Sequence, residues 1–143
     1  MGKTMQEEKF IHAVAEQLAI DRQQARKIVE AVFHELRDRL TPKEAVDAAA
    51  QMPRGLKEIW LASESPQRAV RRIHKADFIR EVAERAEIQE VEASHAVKVV
   101  FHALQVLFQS PTGQEGEAWD IFSQLPKDLK KLWIEAARLH EQR

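Results

Sequence analysis

The sequence has no cysteine, only four glycines and five prolines, and no long apolar run. Without cysteine the chain forms no disulfide and offers no thiolate as a metal ligand or nucleophile. Its apolar stretches fall short of the roughly 18 residues that a transmembrane helix needs. Residues 1–6 lack the apolar core of a secretory signal, and Gln6 stands where a myristoylation signal has Ser or Thr. We therefore expect a cytoplasmic protein that does not contact membranes.

The charges nearly cancel, with 22 basic and 23 acidic residues giving a net charge of −1. This balance excludes a globally basic nucleic-acid-binding protein, because neutralised phosphates supply most of the non-specific affinity. The centre of the chain is nevertheless basic. We interpret this stretch as solvated surface, with contact to nucleic acid as the alternative. Its cations are Arg68, Arg71, Arg72, Lys75 and Arg80.

An internal repeat determines the predicted architecture. The segment FIHAVAE at 10–16 returns as FIREVAE at 78–84, and VFHEL at 32–36 returns as VFHAL at 100–104, both displaced by 68. The segment at 51–60 returns at 124–133, after five extra residues in the second copy. We therefore predict a tandem duplication. Its parts are a first repeat at 6–61, a basic and helical linker at 62–76, and a second repeat with a C-terminal helix at 77–143.

Each repeat has the apolar spacing of amphipathic helices, and no segment has the period of a strand. Asp21 predicts a helix N-cap, and Thr41 with Glu44 predicts a capping box. Trp60 and Trp133 occupy matching places in the last helix of each repeat, where we expect both in the core. The predicted fold class is all-α: a duplicated four-helix unit that forms one compact helical domain.

The repeated unit resembles an uncharacterised bacterial family, domain of unknown function 2267, over nearly the whole chain. The resemblance implies an all-α fold and brings no activity, cofactor or catalytic residue. It rests on Phe10, Val14, Ala15, Ala25, Val32, Leu36 and the closing segment Gln51-Met52-Pro53-x-x-Leu56. The first two helices of each copy are also similar to the helical half of the histone-like HU proteins. That likeness stops at Leu40, before the sheet and basic arms with which those proteins bind DNA.

The polar residues give no catalytic constellation. His34 and His102 occupy equivalent positions, and we expect both to point away from the core of their own repeat. Glu92 and His95 have the spacing of one half of a di-iron site, but the first repeat has no second pair. No serine lies in a nucleophile elbow and no glycine-rich loop is present. We therefore predict neither a metal, a cofactor nor an enzymatic activity.

One helix face differs between the two repeats. In the first repeat it is charged, and in the second it is apolar, so the second helix there has apolar residues on both sides and needs cover on both. The first set is Lys27, Ala31, Glu35, Asp38 and Arg39, and the second is His95, Val99, Ala103, Val106 and Leu107. We predict that Val99 and Val106 are buried and that Ala31, Glu35 and Asp38 are exposed. The favoured cover is the linker with Val70 and Ile73, and a second subunit is the first alternative. The C-terminal tail with Ile134, Ala137 and Leu139 is a further possible cover.

These patterns favour a non-enzymatic helical interaction or scaffold module that self-associates. The alternatives are a nucleic-acid-associated protein that uses the basic centre, and a carrier of a small ligand in an apolar seam between the repeats. The candidate interaction residues are Arg68, Arg71, Arg72, Lys75, Arg80, His95, Val99, His102 and Val106.

Overall fold

The computed structural model describes residues 5–50, 52–62, 75–107 and 127–138, and all regular structure within these ranges is helical. The all-α prediction is therefore confirmed for the described part of the chain. Most of the predicted linker and the third helix of the second repeat, with Trp119, lie outside it. The helices are α1 (Met5–Leu18), α2 (Arg22–Arg37), α3 (Pro42–Ala49), α4 (Arg54–Leu61), α5 (Lys75–Ala86), α6 (Glu90–Leu107) and α7 (Lys127–Ala136).

Local sequence signals set the ends of these helices. The Asp21 carboxylate accepts a 2.8 Å hydrogen bond from the Gln24 N–H at the start of α2. The Thr41 hydroxyl and the Glu44 carboxylate accept bonds from each other's backbone N–H groups, so the predicted capping box opens α3. These caps satisfy amide groups that the first turn of a helix leaves without a partner. Both predicted caps are confirmed.

The turns α1–α2 and α5–α6 have the same unusual backbone. Ala19 has φ 57° and Glu87 has φ 60°, both in the left-handed region. The residue after each donates its N–H five residues back, from Ile20 to Ala15 and from Ile88 to Ala83, as in helix C-terminal caps. The two turns therefore end α1 and α5 in the same way, 68 residues apart.

The core of each half is built around three aromatic rings. Phe10, Phe33 and Trp60 follow one another with ring centroids 5.8 and 5.5 Å apart. Phe78, Phe101 and Trp133 follow one another at 6.2 and 5.1 Å. Both tryptophans are buried, as predicted. The same three places in each half thus carry the largest side chains of the core.

The two halves of the protein pack directly against each other. Helix α2 packs against α5, and α6 packs against α1. The buried apolar residues of both halves belong to a single cluster. Each central helix, α2 or α6, is therefore covered by its own half on one side and by the other half on a second side.

Candidate functional site

The solvent side of α6 carries a stripe of five residues. We call this stripe the outer face of α6; its members are Val91, His95, Lys98, His102 and Val106. At 100° per residue their spacings of four, three, four and four keep them within an arc of roughly 80°, over about 22 Å of helix. The valines at the two ends are 73% and 55% exposed. The stripe therefore presents apolar side chains to water at both ends.

The matching stripe on α2 is polar. Its members are Gln23, Lys27, Glu30, His34 and Asp38. Lys27 is bonded to Glu87 and Asp38 to Arg37, so part of this stripe is already engaged within the chain. Of the two matching stripes, the one on α6 therefore has exposed apolar residues and the one on α2 has none.

Helix α7 borders the outer face of α6 and adds a third exposed apolar side chain. Lys98 Nζ lies 3.6 Å from Glu135 Oε1, and Gln105 Nε2 donates to the Trp133 carbonyl at 2.9 Å. Ile134 stands between Trp133 and Glu135 in the sequence, and its side chain is 48% exposed. We call the combined surface the α6–α7 face: the outer face of α6 together with Ile134.

Exposed cations surround Ile134 on α7. Lys127, Lys131 and Arg138 are all exposed, and with Ile134 they follow one another four, three and four residues apart. This spacing places Ile134 and the cations Lys127 and Lys131 on one side of α7, within an arc of roughly 60°. The third cation, Arg138, lies in the turn two residues after the end of α7. No ion pair joins any of the three to another described residue. The same side of α4 carries Arg54 and Glu58, whose charged groups lie 3.8 Å apart and neutralise each other.

The prediction that Val99 and Val106 are both buried is half right. Val99 is buried on the side of α6 that packs against the other half. Val106 is exposed, because it lies about 10 Å further along α6, one residue before the end of that helix. The structure places α1 against α6. The predicted cover, with Val70 and Ile73, lies outside the described residues.

The prediction that Ala31, Glu35 and Asp38 face water is wrong. Ala31 and Glu35 are buried, and the Asp38 side chain is only 13% exposed. The reason is the packing of α5 against α2, which covers this face and brings oppositely charged side chains to it. The polar composition of this face of α2 had suggested that the face is exposed to solvent. The face in fact forms a contact between the two halves of the protein.

The side chains at that contact form a charged network, which we call the α2–α5 cluster: Glu35, Asp38, Arg39, Glu81 and Arg85. Arg85 Nε lies 2.5 Å from one Glu35 oxygen, and Arg39 Nη1 lies 3.0 Å from the other. Arg39 also approaches Glu81 at 3.5 Å, and Arg85 approaches Asp38 at 3.7 Å. Burial raises the pKa of the Glu35 carboxyl, and the nearby Arg85 and Arg39 guanidinium groups oppose that shift. This cluster was not predicted from the sequence, although Glu35 and Arg39, like Glu81 and Arg85, stand four residues apart, a spacing at which side chains on a helix interact.

His34 was predicted to point away from the core of its own repeat. The structure instead places its ring against the carboxyl end of α4, in the same repeat. Its Nε2 lies 2.8 Å from the Ile59 carbonyl oxygen, and the ring is half-buried. Beside it, Arg37 Nη1 donates to the carbonyls of Trp60 at 2.8 Å and Ala62 at 2.7 Å. Burial lowers the pKa of His34, with the Arg37 and Arg85 charges acting in the same direction and the bond to Ile59 opposing it.

The structure brings His95 and His102 together with Val106 on the outer face of α6, but it does not bring the predicted basic residues to that face. Arg80 is exposed, and its Nη2 lies 2.6 Å from Asp77 Oδ1. His95 is exposed and His102 is half-buried. Arg68, Arg71 and Arg72 lie outside the described residues, as does the side chain of Lys75. Of the predicted basic stretch, the structure therefore describes one side chain, and it is already paired.

The described ranges contain neither a candidate metal-binding group nor a candidate membrane-spanning helix. No group of three or more His, Asp and Glu side chains there could hold a metal ion. No helix in the same part of the chain is long and apolar enough to cross a membrane.

The comparison with protein families gives one match. A family model described as "Uncharacterized conserved protein (DUF2267)" matches residues 7–132, which include all of α2 to α6 and parts of α1 and α7. No curated protein sequence matches the chain.

Proposed function

The chain belongs to the DUF2267 family, and from that premise we propose that it is a non-enzymatic helical interaction module whose binding surface is the α6–α7 face. The module binds protein, and its simplest partner is a second copy of itself. The proposal concerns the class of function; the family description names no activity.

The observation that carries the proposal is the concentration of exposed apolar side chains on one side. Three of the four large hydrophobic residues exposed in the described part of the chain, Val91, Val106 and Ile134, lie on the α6–α7 face. The fourth is Val46 on α3, which is 53% exposed. The two valines stand at opposite ends of the stripe with Lys98 between them, and a mixture of apolar and polar side chains on one surface is typical of surfaces that bind other proteins. At the matching positions of the first half, Gln23 and Asp38 are polar and Leu61 is only half-exposed.

The non-enzymatic part of the proposal is supported by how the buried charges are used. Glu35 and Arg39 are the most deeply buried ion pair among the described residues, and each already has partners within the α2–α5 cluster. A general acid or base needs a titrating group that reaches a substrate. These two side chains instead hold one half of the protein to the other.

Nucleic-acid binding is the second candidate, because Lys127 and Lys131 are exposed one turn apart on α7 and Arg138 is exposed in the turn that follows it. Such binding weakens steeply as salt rises. Replacing Lys127 and Lys131 by glutamate should abolish retention on single- or double-stranded DNA, and unchanged retention would remove this candidate. No described contact favours a ligand carrier at the seam, since paired charges occupy the α2–α5 contact.

We also propose that the two halves arose by duplication of a four-helix unit. The proposal is supported by the matching left-handed turns at Ala19 and Glu87 and by the two three-ring sets. A cytoplasmic location and a bacterial source stay predictions from the sequence.

The experiment grafts first-repeat residues onto the α6–α7 face. In the double variant Val91→Gln, Val106→Asp, each valine takes the residue found at the matching position of α2. Tagged wild-type and variant chains are expressed in cells that naturally make the protein, and the retained proteins are quantified by mass spectrometry. The molecular mass of each purified chain in solution is then determined by analytical ultracentrifugation.

We expect the variant to lose the specific partner, whether another protein or a second copy, while its thermal melting stays near that of the wild type. The control is Val46→Gln, which changes an equally exposed valine on a different helix and should keep the partner. If the double variant retains the same proteins and the same mass as the wild type, the α6–α7 face is not the binding surface.

A further inference from the structure

We infer that the α6–α7 face binds a second copy of the chain through antiparallel pairing of α6 with the α6 of its partner. This inference rests on the proposed function and names its partner. It follows from the order of residues along α6 and from the distribution of charge at its two ends.

The outer face of α6 reads the same in both directions. From the amino end its residues are Val91, His95, Lys98, His102 and Val106, so valine stands at each end and histidine at each intermediate place. A twofold interface requires that if one residue contacts another, the second also contacts the first across the axis. An antiparallel pair meets this condition when Val91 faces the partner's Val106 and His95 faces the partner's His102. The twofold axis then passes beside Lys98.

The lysine at the centre does not oppose such a pair. Lys98 is two-thirds buried and its ammonium group lies 3.6 Å from the Glu135 carboxylate. Two copies meeting at this point therefore bring together two ion pairs rather than two uncompensated cations. Opposite charges arranged alternately around an axis attract each other, whereas two isolated lysines would repel.

Charge at the two ends of α6 favours the antiparallel direction. The amino end of α6 is flanked by Glu84 and Glu90, both exposed and neither ion-paired with another described residue. The carboxyl half of α6 is bordered by α7 where Gln105 bonds to the Trp133 carbonyl, and the amino end of α7 carries the exposed Lys127 and Lys131. Antiparallel pairing brings the acidic end of one copy towards the basic helix of the other, twice per dimer. Parallel pairing would bring acidic end to acidic end, which is unfavourable.

The exposed Val91 and Val106 supply the apolar contact that gives the dimer its affinity. Exposed ion pairs between molecules add little affinity and act mainly on association rate and orientation. Burying Val91 and Val106 against each other removes from water the two most exposed large hydrophobic side chains of α6. In this arrangement the valines stabilise the pair and the charges set its direction.

The first test uses opposite charges at the two valines. Sedimentation of the full wild-type chain should show a monomer–dimer equilibrium, and Val91→Lys or Val106→Glu alone should weaken it by about tenfold or more. The double variant Val91→Lys, Val106→Glu should regain dimer, because antiparallel pairing places each new lysine beside a new glutamate. Val46→Glu, at an equally exposed valine outside the face, should dimerise as the wild type does.

The second test fixes the geometry directly and depends on the absence of cysteine from the natural chain. Mixed Val91→Cys and Val106→Cys chains should form a disulfide between them under mild oxidation. Val91→Cys chains alone should not, since a disulfide requires Cα atoms within roughly 7 Å. Efficient cross-linking of Val91→Cys to itself, or a double charge variant weaker than either single one, overturns the antiparallel arrangement.

The tests also separate this inference from the proposed function. A wild-type chain that stays monomeric up to millimolar concentration overturns self-association. If the α6–α7 graft still removes another protein in the preceding experiment, the face binds a different partner and the proposed function stands. If neither a second copy nor another protein depends on the face, both proposals are wrong.

Discussion

Arg39 Nη1 lies 3.0 Å from Glu35 Oε1, and both side chains are completely screened from solvent. The same guanidinium stands 4.7 Å from the centre of the Phe78 ring on α5, so the pair joins the two halves of the protein. Charges are costly to remove from water unless each finds a partner. Here Arg85 supplies a second cation and Glu81 a second anion, so both Glu35 and Arg39 have opposite charges from α5 beside them.

Removing one member of this pair should be strongly destabilising. We expect Glu35→Ala to lower the free energy of unfolding by about 3–5 kcal/mol, because it leaves the buried Arg39 without its nearest carboxylate. The second half of the protein has Ala103 and Leu107 at the matching positions. The double variant Glu35→Ala, Arg39→Leu should therefore recover much of the loss. Urea denaturation of the three chains measures both effects, and a double variant less stable than Glu35→Ala would contradict this account.

The sequence predicts those features that depend on neighbours along the chain. The caps at Asp21 and Thr41 follow from side chains that bond to amides three residues away. The burial of Trp60 and Trp133 follows from apolar spacing within one helix and from the repeat. The caps and the buried tryptophans therefore depend on residues within one helix or its first turn. The number of residues between two such positions determines whether their side chains can meet.

The sequence does not predict which helix of one half lies on which helix of the other. Glu35 was expected in water because its face of α2 is charged, whereas α5 brings Arg85 to it across 50 residues of chain. The need for cover on α6 was predicted correctly at Val99, but α1 packs against that helix and Val106 extends beyond the covered region. A polar composition does not distinguish solvent from a contact whose charges are paired. The sequence named His95, His102 and Val106 as candidate interaction residues, whereas Val91 and Ile134 were recognised as part of the candidate surface only from their exposure in the structure.

Ala19 adopts a left-handed backbone conformation, with φ 57°. A residue with a Cβ pays about 1 kcal/mol or more for this conformation, and glycine does not. We expect Ala19→Gly to raise the free energy of unfolding by about 0.5–1 kcal/mol. Ala13→Gly, at an exposed place inside α1, is the control and should lower it by about 1 kcal/mol. Thermal unfolding of both variants gives the comparison, and a loss of stability in Ala19→Gly would count against the backbone assignment.

Gly55 allows α4 to approach α1 closely. A Cβ atom built at Gly55 would lie 2.6 Å from Glu7 Cδ and 2.9 Å from Glu7 Cβ, closer than side-chain atoms pack. Glu7 is itself buried, and its carboxylate lies 3.4 Å from Arg26, so it has little room to move away. We therefore expect Gly55→Ala to cost about 1–3 kcal/mol despite the better helix propensity of alanine. A stability equal to the wild type in chemical denaturation would mean that Glu7 shifts without loss.

His34 should make the stability of the protein depend on pH near neutrality. Its ring is half-buried at the carboxyl end of α4, and burial with the nearby Arg37 and Arg85 charges lowers its pKa in the folded chain. Histidine in an unfolded chain titrates near about 6.5. Between that value and the lower folded pKa the unfolded chain binds more protons, so the free energy of unfolding falls as pH drops through this range. Above about pH 6.5 the contribution is fully present.

His34→Gln separates this effect from the other titrating groups. The glutamine amide can donate to the Ile59 carbonyl as the neutral ring does. In the second half the Gln105 amide makes a bond of this kind to the Trp133 carbonyl, at the place that Arg37 takes in the first half. We therefore expect the variant to fold normally and to lose less stability than the wild type between pH 7.5 and 5, measured by urea denaturation at half-unit steps. Parallel curves for wild type and His34→Gln would show that the ring is not held neutral by its burial.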